Sequence, residues 1–315
     1  MGPLKRFPNR QRAIVKVQDG CDAFCAYCIV PYTRPVVWSR DVGRITAECE
    51  ALVAAGHREI VLSGVFLGAY GRQTALRRQW GQSEAPLTEL IRAVAEIEGL
   101  WRLRLSSLEP ADLTDDLLGL WRDLPNLAPH FHLPLQSGSS RVLQRMNRQY
   151  TAEEYCRTVE HLHGALDRPA LTTDIIVGFP GESDGDFDQT ISVARQAGFS
   201  KIHTFPFSAI EGTAAWSRRS EAPPAEEVKA RMARLGALEA DMAAAYRCQF
   251  VGDVLEGVVE GARARRDRPQ SRQAMTDRYL TVRFGAPREN DLTGQVVSLR
   301  IAAATKTGLR GTLIS

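Results

Sequence analysis

From residue 13 to about residue 250, short β-branched runs alternate with stretches whose apolar residues recur at helical spacing. That pattern predicts parallel strands joined by crossover helices. The strands are expected at Ala13–Gln18, Glu59–Gly64, Arg102–Leu108, His130–Leu135, Leu171–Phe179 and Lys201–Phe207. Between them Val42–Ala55, Leu87–Glu98, Thr151–Leu166 and Asp184–Gln196 read as helices, several opened by Ser, Thr or Asp able to cap the first turn. Six such units predict an α/β fold, a partial, TIM-like (βα)6 barrel. Sheets of this kind place ligands at the carboxyl ends of their strands, so the loops after each strand are where chemistry is expected.

A long proline-free stretch, Ala225–Phe250, keeps apolar residues at helical spacing and closes the first unit. Residues 253 to 314 change to strict alternation, in runs at Val254–Val259, Tyr279–Phe284 and Gln295–Ile301 separated by Gly, Pro, Asp and Asn. This predicts a small antiparallel β-barrel and two domains, residues 1–250 and 251–315. Arg263, Arg265, Arg266, Arg268 and Arg272 fall in one of its expected connections.

Charge sharpens the division. The chain carries +3, but residues 245 to 315 hold 12 Lys/Arg against 7 Asp/Glu, whereas residues 1 to 244 hold 28 against 30. A basic appendage on a near-neutral body suits a polyanion such as RNA. A hydrophobic content of 44% and charged content of 24% fit a globular protein. No window is apolar for long enough to span a membrane, and the basic first 20 residues lack the apolar core of a signal peptide, so a cytoplasmic location is expected.

Three of the six cysteines, Cys21, Cys25 and Cys28, lie within eight residues directly after the first strand. Three thiolates on one short loop can bind three irons of a [4Fe-4S] cubane and leave the fourth without a protein ligand. S-adenosylmethionine can chelate that open iron through its amino and carboxylate groups. One electron from the reduced cluster then breaks a carbon–sulfur bond and yields a 5′-deoxyadenosyl radical. A structural zinc site is the plainer alternative, but it normally closes with four ligands, and the nearest histidine, His57, is well outside the loop.

Further strings extend the picture. They are Lys16–Gly20 leading into the cysteines, Ile29–Tyr32 with Ser39 and Arg40, Glu59–Gly64 with Leu67–Gly71, and Ser106–Pro110. His132–Gly138 with Arg145–Asn147, Asp174–Glu182 and His203–Ser208 complete them. Together they resemble the tRNA methylthiotransferases of the radical S-adenosylmethionine (SAM) superfamily, in particular the branch acting on N6-threonylcarbamoyladenosine at tRNA position 37, from about residue 10 to the end. The resemblance implies a transferase that converts this nucleoside to its 2-methylthio derivative, with a [4Fe-4S] cluster and SAM as cofactors. It makes Cys21, Cys25 and Cys28 the metal-binding and catalytic residues. Tyr27 is implied near the adenine, Ser63 and Gly64 near the methionine portion, and Glu109, Gln136, Ser137 and Gly138 in the cofactor pocket. Gly178 and Glu182 are implied near the adenosine, although the glycines could equally form a turn and Glu182 a helix cap. The terminal barrel is similar to a TRAM domain, which grips tRNA, and its arginines would neutralise phosphates. A one-electron reductant of the flavodoxin or ferredoxin type is the implied partner besides tRNA.

The family normally carries an N-terminal domain with three more cysteines holding an auxiliary [4Fe-4S] cluster for sulfur delivery. This chain begins 20 residues before Cys21, so that domain is expected to be absent, supplied by a longer protein or by a separate chain. Cys49, Cys156 and Cys248 stand in separate predicted helices and are expected to be packing residues. Pro35, where the family usually has glycine, and Ile210, where it commonly has a basic residue, are smaller departures. Two other readings stay open: a radical SAM enzyme with a different outcome on RNA, such as methylation, and a non-catalytic tRNA-binding module with a structural metal site.

Overall fold

The computed structural model describes residues 11–80, 86–260, 271–286 and 291–314. Six parallel strands follow in chain order: β1 (Arg12–Lys16), β2 (Glu59–Ser63), β3 (Arg102–Leu105), β4 (His130–His132), β5 (Ala170–Val177) and β6 (Lys201–Pro206). β1, β2 and β3 pair side by side, as do β4, β5 and β6, and a parallel bridge between Ser107 and His132 joins the two groups. All six expected strands are present, each ending one to three residues earlier than its apolar run. The trimmed residues turn into loops at the carboxyl ends, where apolar side chains pack under the turns; Leu108, Leu133 and Leu135 are all buried there.

The helices are α1 (Val42–Ala54), α2 (Pro86–Ala95), α3 (Asp115–Asp123), α4 (Ser140–Arg145), α5 (Ala152–Ala165), α6 (Asp184–Ala197) and α7 (Ala225–Cys248). The short helices α3 and α4 escape the sequence pattern because neither is long enough to repeat its apolar face often. Thr151 and Ser183 open α5 and α6 with reciprocal capping boxes through Glu154 and Asp186. Ala13, Val15, Ile60, Leu62, Leu103, Leu105, Phe131, Leu171, Ile175 and Ile202 point to the helix side and form the main core. Strand alternation therefore turns Glu59, Arg102, Arg104, His132, Thr172, Asp174 and His203 toward the barrel lumen.

Five strands, β7 (Val254–Val259), β8 (Ser271–Thr276), β9 (Thr281–Gly285), β10 (Val296–Thr305) and β11 (Gly308–Leu313), close a second barrel in the order β8-β9-β11-β10-β7. The expected all-antiparallel barrel is corrected: β9 and β11 run parallel, with Val282 opposite Leu309. A closed ring of five strands cannot alternate direction throughout, so one pair has to be parallel. Arg263, Arg265, Arg266 and Arg268 lie outside the described residues. Arg272 is not in a connection as expected but inside β8, opposite Phe284.

The two barrels meet at the amino ends of β1 to β3. Residues 275–279, at the end of β8 and in the turn to β9, reach into the lumen. Arg104 is fully buried, pairs with Glu59 (Nε–Oε1 2.7 Å) and donates to the carbonyls of Thr276 (2.6 Å) and Asp277 (2.5 Å). Its guanidinium stacks 3.8 Å from the Tyr279 ring, and Tyr279 meets His130 edge to face at 4.4 Å. Burial, with Arg104 nearby, holds His130 well below the usual imidazole range, so it sits neutral beside this cation. The tip of the second barrel thus plugs the floor of the first.

Candidate active site

The cysteine loop leaves β1 at the opposite, carboxyl-end mouth. Gly20 opens it at φ +78°, and a Cβ there would stand 1.8 Å from the Val36 carbonyl, so only glycine lets the two arms of the loop approach. The Cys21 amide donates to Arg34 O (3.1 Å) and the Cys28 amide to Cys25 O (2.9 Å). Gln18 ties the loop to the next strand: its Nε2 donates to Gly20 O (2.8 Å), and its Oε1 accepts from Phe66 N (2.8 Å). Asp22 accepts from Thr74 Oγ1 (2.7 Å) and Ala75 N (2.6 Å). On the far side Asn147 Nδ2 donates to Phe24 O (2.9 Å), and the Ala26 amide donates to Met146 O (2.8 Å). The loop is thus held from three directions.

Burial, the largest cause, pushes Cys21 up to about 11 and Cys28 above its ordinary value, and the neighbouring Cys25 adds to both. Three thiols on one short loop suit a cubane, in which each thiolate takes its own iron.

Arg148 joins the loop to two other expected residues. Its Nη1 donates to Cys25 Sγ (3.2 Å) and reaches Tyr27 Oη (3.5 Å), while Nη2 holds both oxygens of Glu109 (2.5 and 2.6 Å). This near-buried guanidinium supplies positive charge beside the Cys25 thiol. The sequence reading missed it, although it directly follows the noted Arg145–Asn147 string.

The remaining expected residues form separate groups. Ser63 accepts from Val17 N (2.8 Å) through its carbonyl, and a Cβ on Gly64 would stand 2.8 Å from Gln18 Oε1, so both adjoin the loop's anchor. Gln136, at φ +62°, exchanges backbone bonds with Asp174 and Ile176 of β5. Ser137 and Gly138 dock on α6: Gly138 N donates to Thr190 Oγ1 (2.9 Å), and a Cβ there would meet Thr190 Cα at 2.5 Å. Gly178 (φ +81°) donates its amide to Glu182 Oε2 (2.8 Å), and that buried carboxylate pairs with Arg231 of α7 (3.0 Å). Glu182 therefore braces a turn against α7, and the cap of α6 is Ser183.

Of the other cysteines, Cys49 is fully buried as expected and Cys156 half-buried. Cys248 departs from the packing expectation: it is exposed, because it ends α7 on the solvent face.

The sequence profile of the Radical SAM superfamily matches residues 15–194, which runs from the end of β1 through the cysteine loop and the strands β2 to β5 into α6. The chain belongs to the radical SAM superfamily. Among solved structures, this radical SAM chain is similar to a radical SAM methyltransferase from Kitasatospora setae, with 15% identity, a TM-score of 0.52 and coverage of 65% of this chain and 38% of that one. It is also similar to coproporphyrinogen III oxidase of Escherichia coli, with 14% identity, a TM-score of 0.50 and coverage of 78% and 55%. Those likenesses speak for the fold alone.

Curated relatives are nearer. The chain is 39% identical to the tRNA-2-methylthio-N(6)-dimethylallyladenosine synthase of Maricaulis maris, over 96% of this chain. It is 36% identical to the threonylcarbamoyladenosine tRNA methylthiotransferase MtaB of Bacillus subtilis, over 95% of this chain. It spans 64% of the length of each of these relatives. No helix among the described residues is long and apolar enough to cross a membrane.

Proposed function

We propose that this chain is the radical-generating and RNA-gripping part of a cytoplasmic tRNA methylthiotransferase that converts N6-threonylcarbamoyladenosine 37 to its 2-methylthio derivative. The observation that carries the reading is the braced loop at the carboxyl mouth of β1, which gathers three thiols beside the Arg148 cation. Similarity to methylthiotransferases along nearly the whole chain supports the tRNA substrate, and relatives of both the dimethylallyl and the threonylcarbamoyl kind match it.

Cys21, Cys25 and Cys28 would hold the [4Fe-4S] cluster. When bound, the cluster and SAM supply one-electron cleavage of a carbon–sulfur bond. Arg148 offsets negative charge at Cys25 and fixes Glu109 and Tyr27 beside it. Tyr27, Ser63, Gly64, Glu109, Gln136, Ser137, Gly138 and Gly178 stand at strand ends and would shape the SAM pocket, with Glu182 holding the Gly178 turn. Residues 251–315 would bind tRNA, with Arg263, Arg265, Arg266, Arg268 and Arg272 at phosphates. A flavodoxin- or ferredoxin-type donor would provide the electron. The auxiliary cluster would come from an N-terminal domain or a separate chain.

Anaerobic reconstitution with iron and sulfide tests the reading. About four irons per chain are expected, with dithionite-dependent release of 5′-deoxyadenosine from SAM. Tightly bound zinc in the cysteine loop and no 5′-deoxyadenosine would end it. Mass spectrometry of tRNA from a strain lacking the gene separates methylthiolation from methylation, since loss of a sulfur-free group would refute the first.

A further inference from the structure

His132, Asp174 and His203 sit on neighbouring strands β4, β5 and β6, and Asp174 and His203 are direct register partners. Their side-chain ligand atoms all lie within 4.8 Å of one another. Phe131, Leu171, Ile175 and Ile202 pack on the helix side, which leaves this trio on the lumen side, between the plug at the floor and the cysteine loop at the mouth.

The hydrogen bonds around His132 decide what the trio is suited to hold. The Thr172 hydroxyl stands 2.9 Å from His132 Nδ1 and reaches two other acceptors, the Phe131 carbonyl (3.3 Å) and His130 Nε2 (3.5 Å), so it is free to accept from an Nδ1–H tautomer of His132. That tautomer leaves Nε2 as a lone pair, and Nε2 faces Asp174 Oδ2 at 3.4 Å. Two acceptors opposed at this distance repel unless something positive lies between them. A tetrahedral ion with bonds of 2.0–2.1 Å separates its ligand atoms by about 3.3 Å, which is the spacing already present on this edge. An imidazole oriented by a hydrogen bond at its other nitrogen is also the usual arrangement of a metal-bound histidine. His203 is exposed on the outermost strand and can turn to supply the third ligand.

We propose that His132, Asp174 and His203 bind a single first-row divalent metal ion, of the zinc or ferrous class, in the barrel lumen and separate from the cysteine loop. Two imidazoles and one carboxylate leave coordination positions open toward the lumen, where a nitrogen or oxygen donor of the substrate could complete the shell. The inference does not depend on which RNA, if any, the protein modifies.

Cobalt(II) titrated anaerobically into the tag-free full chain carrying Cys21→Ser, Cys25→Ser and Cys28→Ser tests it, because the loop thiolates cannot then compete. One equivalent should bind, with ligand-field bands free of sulfur charge transfer, and zinc should displace it. His203→Ala, on an exposed strand position, and Asp174→Asn should each weaken binding at least about tenfold while leaving the circular dichroism spectrum unchanged. Zinc calorimetry on the cluster-loaded unmodified chain should report the same single site. No saturable binding tighter than about 1 mM, or binding insensitive to both substitutions, would overturn the proposal.

Discussion

At the amino ends of the strands, Arg12, Glu59, Arg102 and Arg104 are enclosed by one another and by the Thr276 and Asp277 carbonyls and the Tyr279 ring of the second barrel. At the carboxyl ends, the loop around Cys21, Cys25 and Cys28 is pinned through its backbone, while its thiols are left to take ligands. One mouth pairs its charged side chains internally, and the other fixes a backbone so that its side chains stay available. The difference teaches where this fold spends its rigidity. Charges at the floor are sealed by a plug, which docks the second barrel through the first barrel's own lumen.

The largest expected effect comes from attacking the open mouth. Cys21→Ser, Cys25→Ser or Cys28→Ser should each abolish cluster assembly and 5′-deoxyadenosine formation, measured by iron content and product chromatography. Their thermal transitions without the cluster should stay close to that of the parent, since the loop's anchors are backbone bonds. A large loss of stability would contradict the division of labour between the two mouths.

At the sealed mouth the order reverses. Glu59→Gln keeps the shape but leaves Arg104 and Arg102 buried beside a neutral partner, which should cost about 3–5 kcal/mol in a denaturant titration. The cluster should still assemble in whatever fraction stays folded. Gly138→Ala, whose Cβ would stand 2.5 Å from the Thr190 backbone, should cost about 1–3 kcal/mol by forcing α6 from its seat.

A smaller effect separates the mouths by pH. In the cluster-free chain, burial raises Cys21 to about 11, above the unfolded thiol, so the native state keeps this proton longer. The associated stability is present at neutral pH and is lost as pH rises through 11, because the unfolded chain releases its proton first. Alkylation of Cys21 should accelerate over the same range. A rate that levels off by about pH 9 would show an ordinary exposed thiol.

Most of the first barrel was legible because its signals are local. Apolar periodicity located six strands and five helices, and the spacing of Cys21, Cys25 and Cys28 singled out the cysteine loop with no partner needed from elsewhere. In the second barrel two strands were missed, Ser271–Thr276 and Gly308–Leu313, for different reasons. The first holds Arg272 and Gln273 and mimics a polar connection, and the second begins with glycine and packs only through Leu309.

What the amino-acid sequence determined alone is therefore the element order, the cysteine loop and the basic character of the tail, all set by residues near one another in the chain. Only the tertiary structure decided that Arg148 faces Cys25 from 123 positions away, that Glu182 serves Arg231, and that His132, Asp174 and His203 share one lumen. It also decided that Tyr279 plugs the floor under Arg104. Such pairings depend on strand register and on which face each strand turns inward, and periodicity supplies the alternation but not the partner across the barrel.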